Sequence, residues 1–205
     1  MTSEKKLFEL ITNHLLQDHE PSVYLNQISN EQAFEAYPFN MLLDLMDTEQ
    51  DPKHHPEGNV WNHTMLVVDE AAKQKSQSIN EKVFMWAALL HDIGKPAATE
   101  KRRNRITAYD HDKIGEKLCK KFLLSVDCPL TFTEQVSSLV RFHMHPLFII
   151  KNLPFSDLKG LRSRTNPQEV ALLSLCDRMG RTNPSFEKEQ ENVNLFLSKF
   201  SKVEH

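Results

Sequence analysis

Glycine, paired cysteines and long apolar runs are scarce in this 205-residue sequence, and each shortage narrows the class of protein. There are five glycines, and the apolar residues recur at helical spacing, so the sequence predicts an almost entirely α-helical protein. Three widely spaced cysteines without a CxxC pair argue against a disulfide framework or a zinc knuckle and favour reduced thiols in the cytoplasm. No stretch resembles a signal peptide or a membrane span, so we expect no membrane contact.

The sequence also lacks a strong excess of one charge. Its formal net charge is −3, which disfavours nonspecific coating of nucleic acid. One basic stretch, Lys101–Arg105, is either a solvated turn or a lip that attracts phosphate. No internal repeat and no linker divides the chain, which predicts a single domain with an oligomeric state that the sequence leaves open.

Histidine, in contrast, is abundant, and the stretch Phe84–Pro96 shows where it matters. An apolar run there ends directly in His91 and Asp92, and at about 100° per residue His91 shares the face of Phe84 and Ala88. An unpaired buried charge is very costly, so both polar side chains need partners. Alone, the pair is compatible with a satisfied core histidine and a capping aspartate.

Helical phase turns other polar side chains inward as well. His63 stands at i+3 from Val60 and shares its stripe with Val67. The same phase places three more side chains on inward stripes: His111, His143 and Asp177. A core of this size would rarely contain so many buried histidines and aspartates without a reason.

A divalent metal supplies that reason, because a cation neutralises carboxylates and satisfies imidazole lone pairs. We expect His63, His91, Asp92 and Asp177 to form one open site. His111 and His143 are expected to hold a second ion, with Asp92 as the bridge. Mixed imidazole and carboxylate ligands suit Mn, Fe, Co, Ni or Zn, with Mg²⁺ as a further candidate, better than Ca²⁺.

Three other histidines are harder to assign. His145 falls on the outer face of its helix unless Pro146 ends that helix early, so we leave open whether it binds metal. His54 and His55 lie in a turn-rich loop and are expected on the surface or in supporting roles.

An open metal site of this composition suits hydrolysis of phosphate esters by a metal-activated water. Asp92 is the candidate to orient or deprotonate that water. Lys95 can reach the same pocket and neutralise phosphate charge, and Arg181 is a weaker candidate for substrate binding. A serine or cysteine nucleophile has little support, because there is no GxSxG motif and Cys176 lies in an apolar run.

These residues, in the order His63, His91-Asp92 and Asp177, resemble the HD-domain metal-dependent phosphohydrolase superfamily. The sequence is most similar to the HD domain attached to bacterial CCA-adding tRNA nucleotidyltransferases. The motifs that carry this resemblance are QDPKHHPEGNVWNHT (50–64), AALLHDIGKP (87–96), YDHDKIG (109–115), VRFHMHP (140–146) and CDRMGR (176–181).

The resemblance implies an all-α HD-domain bundle with its core at residues 23–181, flanked by further helices within a single domain of residues 1–205. It implies hydrolysis of phosphate mono- or diesters, 2′,3′-cyclic nucleotides among them, and it maps the family's ligands onto His63, His91, Asp92 and Asp177. The extra histidines of two-metal members map onto His111 and His143. The nucleotidyltransferase head has no counterpart here, so we expect no nucleotide addition to tRNA.

The sequence therefore predicts a metal-dependent phosphohydrolase whose partner is a small phosphorylated substrate such as a nucleotide, with RNA less favoured. Two alternatives remain: a non-catalytic HD scaffold that binds RNA or a protein, and a fold that uses a single ion only for stability.

Overall fold

The computed structural model describes residues 2–102, 105–182 and 184–202. The helices are α1 (Ser3–Gln17), α2 (Pro21–Ile28), α3 (Gln32–Glu35), α4 (Asn40–Leu43), α5 (Val60–Gln74), α6 (Glu81–Leu90), α7 (Lys95–Ala98), α8 (His111–Ser125), α9 (Leu130–Phe142), α10 (His145–Ile150), α11 (Leu158–Arg164), α12 (Pro167–Met179) and α13 (Phe186–Lys202). A 3₁₀ turn, Lys75–Gln77, extends α5. The predicted all-α class is confirmed, since the described β structure is one small hairpin and an isolated bridge.

Helix α6 is the centre of the bundle. Every residue from Val83 to Leu90 is buried, and α6 packs against α1, α5, α9 and α12. A helix that is apolar on all sides is stable only when other elements surround it. Trp86 stacks on Phe8 with ring centroids 4.3 Å apart and donates a hydrogen bond of 2.9 Å to Thr12 Oγ1. The buried α6 thus delivers His91 and Asp92, which follow its last turn, into the interior.

Asparagine side chains begin the helices that flank this centre. Asn59 Oδ1 accepts a hydrogen bond of 2.9 Å from Asn62 N at the start of α5. Asn166 caps α12 in the same way, with Pro167 at the first helical position. Such caps satisfy backbone N–H groups that have no partner within the helix, which is why each helix begins where it does.

The basic stretch is part of a hairpin rather than a plain turn. Strand β1 (Thr99–Arg102) pairs antiparallel with β2 (Arg105–Ala108). Lys101 Nζ lies 2.6 Å from Glu49 Oε2, so this lysine is paired. Arg103 and Asn104 lie outside the described residues, as does the side chain of Arg102. Within the part of the chain that is described, no helix is long and apolar enough to cross a membrane.

Candidate metal centre

Three histidines present one ring nitrogen to the same space because the chain holds the other nitrogen. The Nδ1 atoms of His91, His111 and His143 lie 2.8, 2.7 and 2.7 Å from the carbonyl oxygens three residues earlier. A carbonyl oxygen can only accept, so each Nδ1 carries the proton and donates it. Each Nε2 atom is then an unprotonated lone pair unless the ring takes up a second proton.

Asp92 stands between two groups of histidines, and its two carboxylate oxygens face different groups. Oδ2 lies 3.1 Å from His91 Nε2 and 3.9 Å from His63 Nε2. Oδ1 lies 3.5 Å from His111 Nε2 and 3.8 Å from His143 Nε2. The set His63, His91 and Asp92 and the set Asp92, His111 and His143 are each close enough to hold a metal ion.

Asp177 reaches the first group from α12. Its Oδ1 atom lies 3.0 Å from His63 Nε2, and the guanidinium of Arg181, one turn later, lies 3.5 Å from the same oxygen. His63 also contacts Glu57, whose Oε1 atom lies 3.0 Å from Nδ1. Both nitrogens of the His63 ring therefore face carboxylates.

The electrostatics of the centre favour a positive ion. Burial raises the pKa of Asp92, but the charges of His91 and Lys95 outweigh it, and the net pKa lies well below the usual range. Burial also raises the pKa of Asp177, but the charge of Arg181 and the hydrogen bond with His63 outweigh it, so that this pKa too lies well below the usual range. Burial lowers the pKa of His143 to about 4, with positive charge on His111 adding to the shift. The aspartates are therefore anionic and His143 is neutral at neutral pH.

The geometry also fits a metal. His91 Nε2 is buried and makes no hydrogen bond. The Nε2 atoms of His111 and His143 are 3.3 Å apart, and because both Nδ1 protons are donated to carbonyls, two lone pairs face each other whenever neither ring takes up a second proton. Buried polar groups of native proteins normally have partners. A cation between them satisfies the lone pairs, and imidazole with carboxylate suits divalent first-row metals.

A cavity of about 440 Å³ opens over this centre. Asp92, His111, His143 and Asp177 are among its lining residues, while His63 and His91 lie fully buried beneath. Lys95 and Arg181 add positive charge, and Lys95 Nζ lies 2.7 Å from Asp92 Oδ2. The structure thus brings every predicted site residue to one place, and the roles assigned to them stay predictions.

His145 does not lie on an outer helical face, because the helix ends early, which is the exception that the sequence left open. The helix that carries His143 ends at Phe142, and α10 starts at His145, so the helical phase is lost between them. His145 is fully buried, packs on Phe142 and accepts a hydrogen bond of 3.0 Å from Asp157 N. It tethers the segment before α11 and belongs to neither of the two groups containing Asp92 that could hold a metal ion.

The loop before α5 holds two residues that the sequence reasoning missed, Gln50 and Glu57. His54 and His55 of this loop line the cavity, and the His55 ring lies edge-on to His63 with centroids 4.8 Å apart. A loop has no periodicity that predicts burial. The signal that could have found Glu57 is an acidic residue between His55 and His63 in the segment HHPEGN.

Comparison with known proteins identifies relatives. The chain is 25% identical over 190 residues to the Multifunctional CCA protein of Haemophilus influenzae (strain PittGG). The aligned residues cover 89% of this chain and 44% of the relative. It is 27% identical over 193 residues to the Multifunctional CCA protein of Pasteurella multocida (strain Pm70), again 89% and 44%. With the A-adding tRNA nucleotidyltransferase of Deinococcus radiodurans it shares 30% identity over 138 residues, 64% of this chain and 30% of the relative.

The chain thus spans less than half the length of these relatives. A family model described as the HD domain matches residues 60–182, more than half of the chain. The match contains the predicted metal ligands, which are His63, His91, Asp92, His111, His143 and Asp177. The chain belongs to the HD-domain family.

Proposed function

We propose that this protein is a divalent-metal-dependent phosphohydrolase acting on a nucleotide or another small phosphate mono- or diester, 2′,3′-cyclic nucleotides included. The observation that carries the proposal is Asp92, whose two oxygens face two pairs of histidines at the base of an open, cation-rimmed cavity. Membership of the HD-domain family supports the reaction class. In this proposal residues 1–205 act as one HD domain.

The proposal assigns two groups of ligands. His63, His91, Asp92 and Asp177 would hold one ion. His111 and His143, together with Asp92, would hold a second. A divalent ion bound there supplies Lewis acidity and a bound water of lowered pKa.

The chain's own residues orient and neutralise the substrate. Asp92 accepts a hydrogen bond from the attacking water and aims it at phosphorus. Lys95 is half-buried at the cavity edge and donates to phosphate oxygens as negative charge develops. Arg181 adds a second positive charge from the side of Asp177.

The cavity supports a substrate larger than inorganic phosphate. Its volume of about 440 Å³ lies in the usual range for small-molecule sites. One part of its wall is apolar, with Ile106 from β2, Met144 directly before α10 and Leu147 within it. A nucleotide would match both regions, with its phosphate at the proposed metal ligands and its base against the apolar residues.

RNA is the competing partner, because the names of the relatives include a tRNA nucleotidyltransferase. The net charge of −3 and the pairing of Lys101 with Glu49 argue against it. In that case RNA binding would survive loss of His91 and Asp92. It would weaken with salt and with neutralisation of the basic stretch, Lys101, Arg102, Arg103 and Arg105.

The test is metal analysis followed by a screen of nucleoside mono-, di- and cyclic phosphates with Mn²⁺, Co²⁺, Ni²⁺, Zn²⁺ and Mg²⁺. We expect bound metal and turnover that a chelator abolishes and added metal restores. Asp92→Ala is expected to lower turnover at least about a hundredfold. The matched control, Asp47→Ala, removes an exposed carboxylate outside the cavity and should match wild type. Absence of metal binding, or unchanged turnover in Asp92→Ala, contradicts the proposal.

A further inference from the structure

The loop between α4 and α5 contributes two buried polar side chains to the site, and it lies outside the residues that the HD-domain model matches. We call residues 50–59 the site loop. Gln50, at its start, is 8% exposed, and the side chain of Glu57, near its end, is 4% exposed. Burial of a glutamate side chain to this extent is rare unless the group is paired.

Glu57 pairs with two histidine rings at once. Its Oε1 atom lies 2.9 Å from His55 Nδ1 and 3.0 Å from His63 Nδ1. A carboxylate accepts but does not donate, so Glu57 stabilises a proton on His55 Nδ1 and offers an acceptor for a proton on His63 Nδ1. His63 Nε2 faces the carboxylates of Asp177, at 3.0 Å, and of Asp92, so a cation that takes the Nε2 lone pair leaves the ring proton on Nδ1, where Glu57 Oε1 lies 3.0 Å away. Carboxylates in this position behind a metal-binding histidine fix its tautomer and its ring orientation.

Gln50 makes a second, separate contact with the site. Its Oε1 atom accepts a hydrogen bond of 2.6 Å from Lys95 Nζ, and its Nε2 atom donates to Asn59 O at 3.1 Å. Lys95 Nζ also contacts Asp92 Oδ2 at 2.7 Å. Two of the three ammonium donors are thus committed in fixed directions, which leaves the third for a phosphate oxygen.

The site loop is itself held at both ends. Glu49 and Asn59 form a bridge that closes it, and Asn59 caps α5. Asn62 Nδ2 donates to the carbonyl oxygen of Glu57 at 3.1 Å. The loop is therefore anchored to the same helix that carries His63, so its two side chains keep their distance from the site.

We propose that Glu57 and Gln50 are positioning residues: Glu57 holds His63 for the metal, and Gln50 holds Lys95 for the phosphate. The inference rests on the proposed function and adds two roles that the HD-domain match does not include. Because the contacts are separate, the two roles are separable by measurement.

The experiment titrates metal-stripped wild type and variants with Mn²⁺ by calorimetry and then measures kcat and KM at saturating Mn²⁺. We expect Glu57→Ala to weaken Mn²⁺ binding about 10- to 100-fold. Its turnover should recover as Mn²⁺ is raised. Glu57→Gln keeps one acceptor for a ring N–H and should restore part of the affinity.

Gln50→Ala should leave the Mn²⁺ affinity within about twofold and lower kcat/KM roughly tenfold, a loss that added Mn²⁺ does not restore. The matched control is Lys53→Ala, an exposed residue of the same loop whose backbone contact to Asp51 is retained, and it should resemble wild type. Thermal melts identify any variant that fails to fold, and if Glu57→Ala does, Glu57→Gln decides.

The role of Glu57 is overturned if Glu57→Ala folds and both it and Glu57→Gln bind Mn²⁺ as tightly as wild type. If Glu57→Ala does not fold, wild-type Mn²⁺ affinity in Glu57→Gln alone overturns that role. The role of Gln50 is overturned if Gln50→Ala has a wild-type kcat/KM. A wild-type protein that binds no divalent metal would instead contradict the proposed function itself. The two failures are therefore distinguishable.

Discussion

Gly94 of the HDIGK segment should tolerate no side chain, and replacing it by alanine is a sharp test of how the site is assembled. A Cβ atom at Gly94 would lie 2.1 Å from the carbonyl oxygen of His111 and 2.5 Å from the backbone nitrogen of Gly115. These are backbone atoms and cannot rotate away, so the start of α7 and the first turn of α8 would have to separate. His111 would move with them.

The expected cost follows from these contacts. Overpacking a rigid site usually costs about 1–3 kcal/mol and occasionally more. Because Gly94→Ala meets backbone well inside contact distance, we expect a loss of at least about 3 kcal/mol in the free energy of unfolding. For a chain of this length that corresponds to a Tm lower by roughly 6–12 °C. Urea unfolding followed by far-UV circular dichroism measures it.

Gly115→Ala is the matched comparison. Its Cβ would meet one side-chain methyl group, Val140 Cγ1, at 3.2 Å, and backbone atoms only at the ordinary contact distance of 3.5 Å or more. Within α8, alanine is favoured over glycine by about 1 kcal/mol, which offsets that contact. We therefore expect a change within about 1 kcal/mol of wild type. The reasoning is refuted if Gly94→Ala is within this margin too, or if both variants are equally damaged.

Two further predictions concern stability and thiol chemistry. Asn59→Ala removes the cap of α5 and the hydrogen bond from Asn59 Nδ2 to Met46 O, so we expect a loss of about 1–2 kcal/mol in urea unfolding; a neutral variant would contradict the role of the cap. Burial raises the pKa of the thiols, to about 11 at Cys128, so the native protein at pH 8 should react with a thiol reagent far more slowly than the unfolded protein. The thiols concerned are the three buried ones, Cys119, Cys128 and Cys176. Rapid labelling of the native protein would contradict their burial.

Helical phase was a reliable guide wherever a polar residue lay within or directly after a regular helix. His63 within α5 and Asp177 within α12 are buried as their periodicity predicts, and His143 directly follows α9. Phase alone misplaces His145, because the chain leaves one helix and starts another between the two histidines, the exception that the sequence left open. Phase carries no information across such a break.

The hairpin and the site loop were beyond the reach of sequence periodicity for a different reason. Strands β1 and β2 are four residues each, and the charged residues around Lys101 mask any alternation. Glu57 and Gln50 become site residues only through contacts with His63 and Lys95, which lie on other elements. Non-local contacts of this kind leave no local pattern.

Helical periodicity is a local property, so the sequence by itself determined the all-α class and the inward direction of His63, His91, His111 and His143. Its motifs carried the resemblance to HD domains. Only the tertiary structure decided that the two oxygens of Asp92 face different pairs of histidines. It also decided that Gln50 and Glu57 support the site from outside the helices. The physical reason is that each of these contacts joins elements distant in the chain, and their distances follow from how α5, α6, α8, α9 and α12 pack.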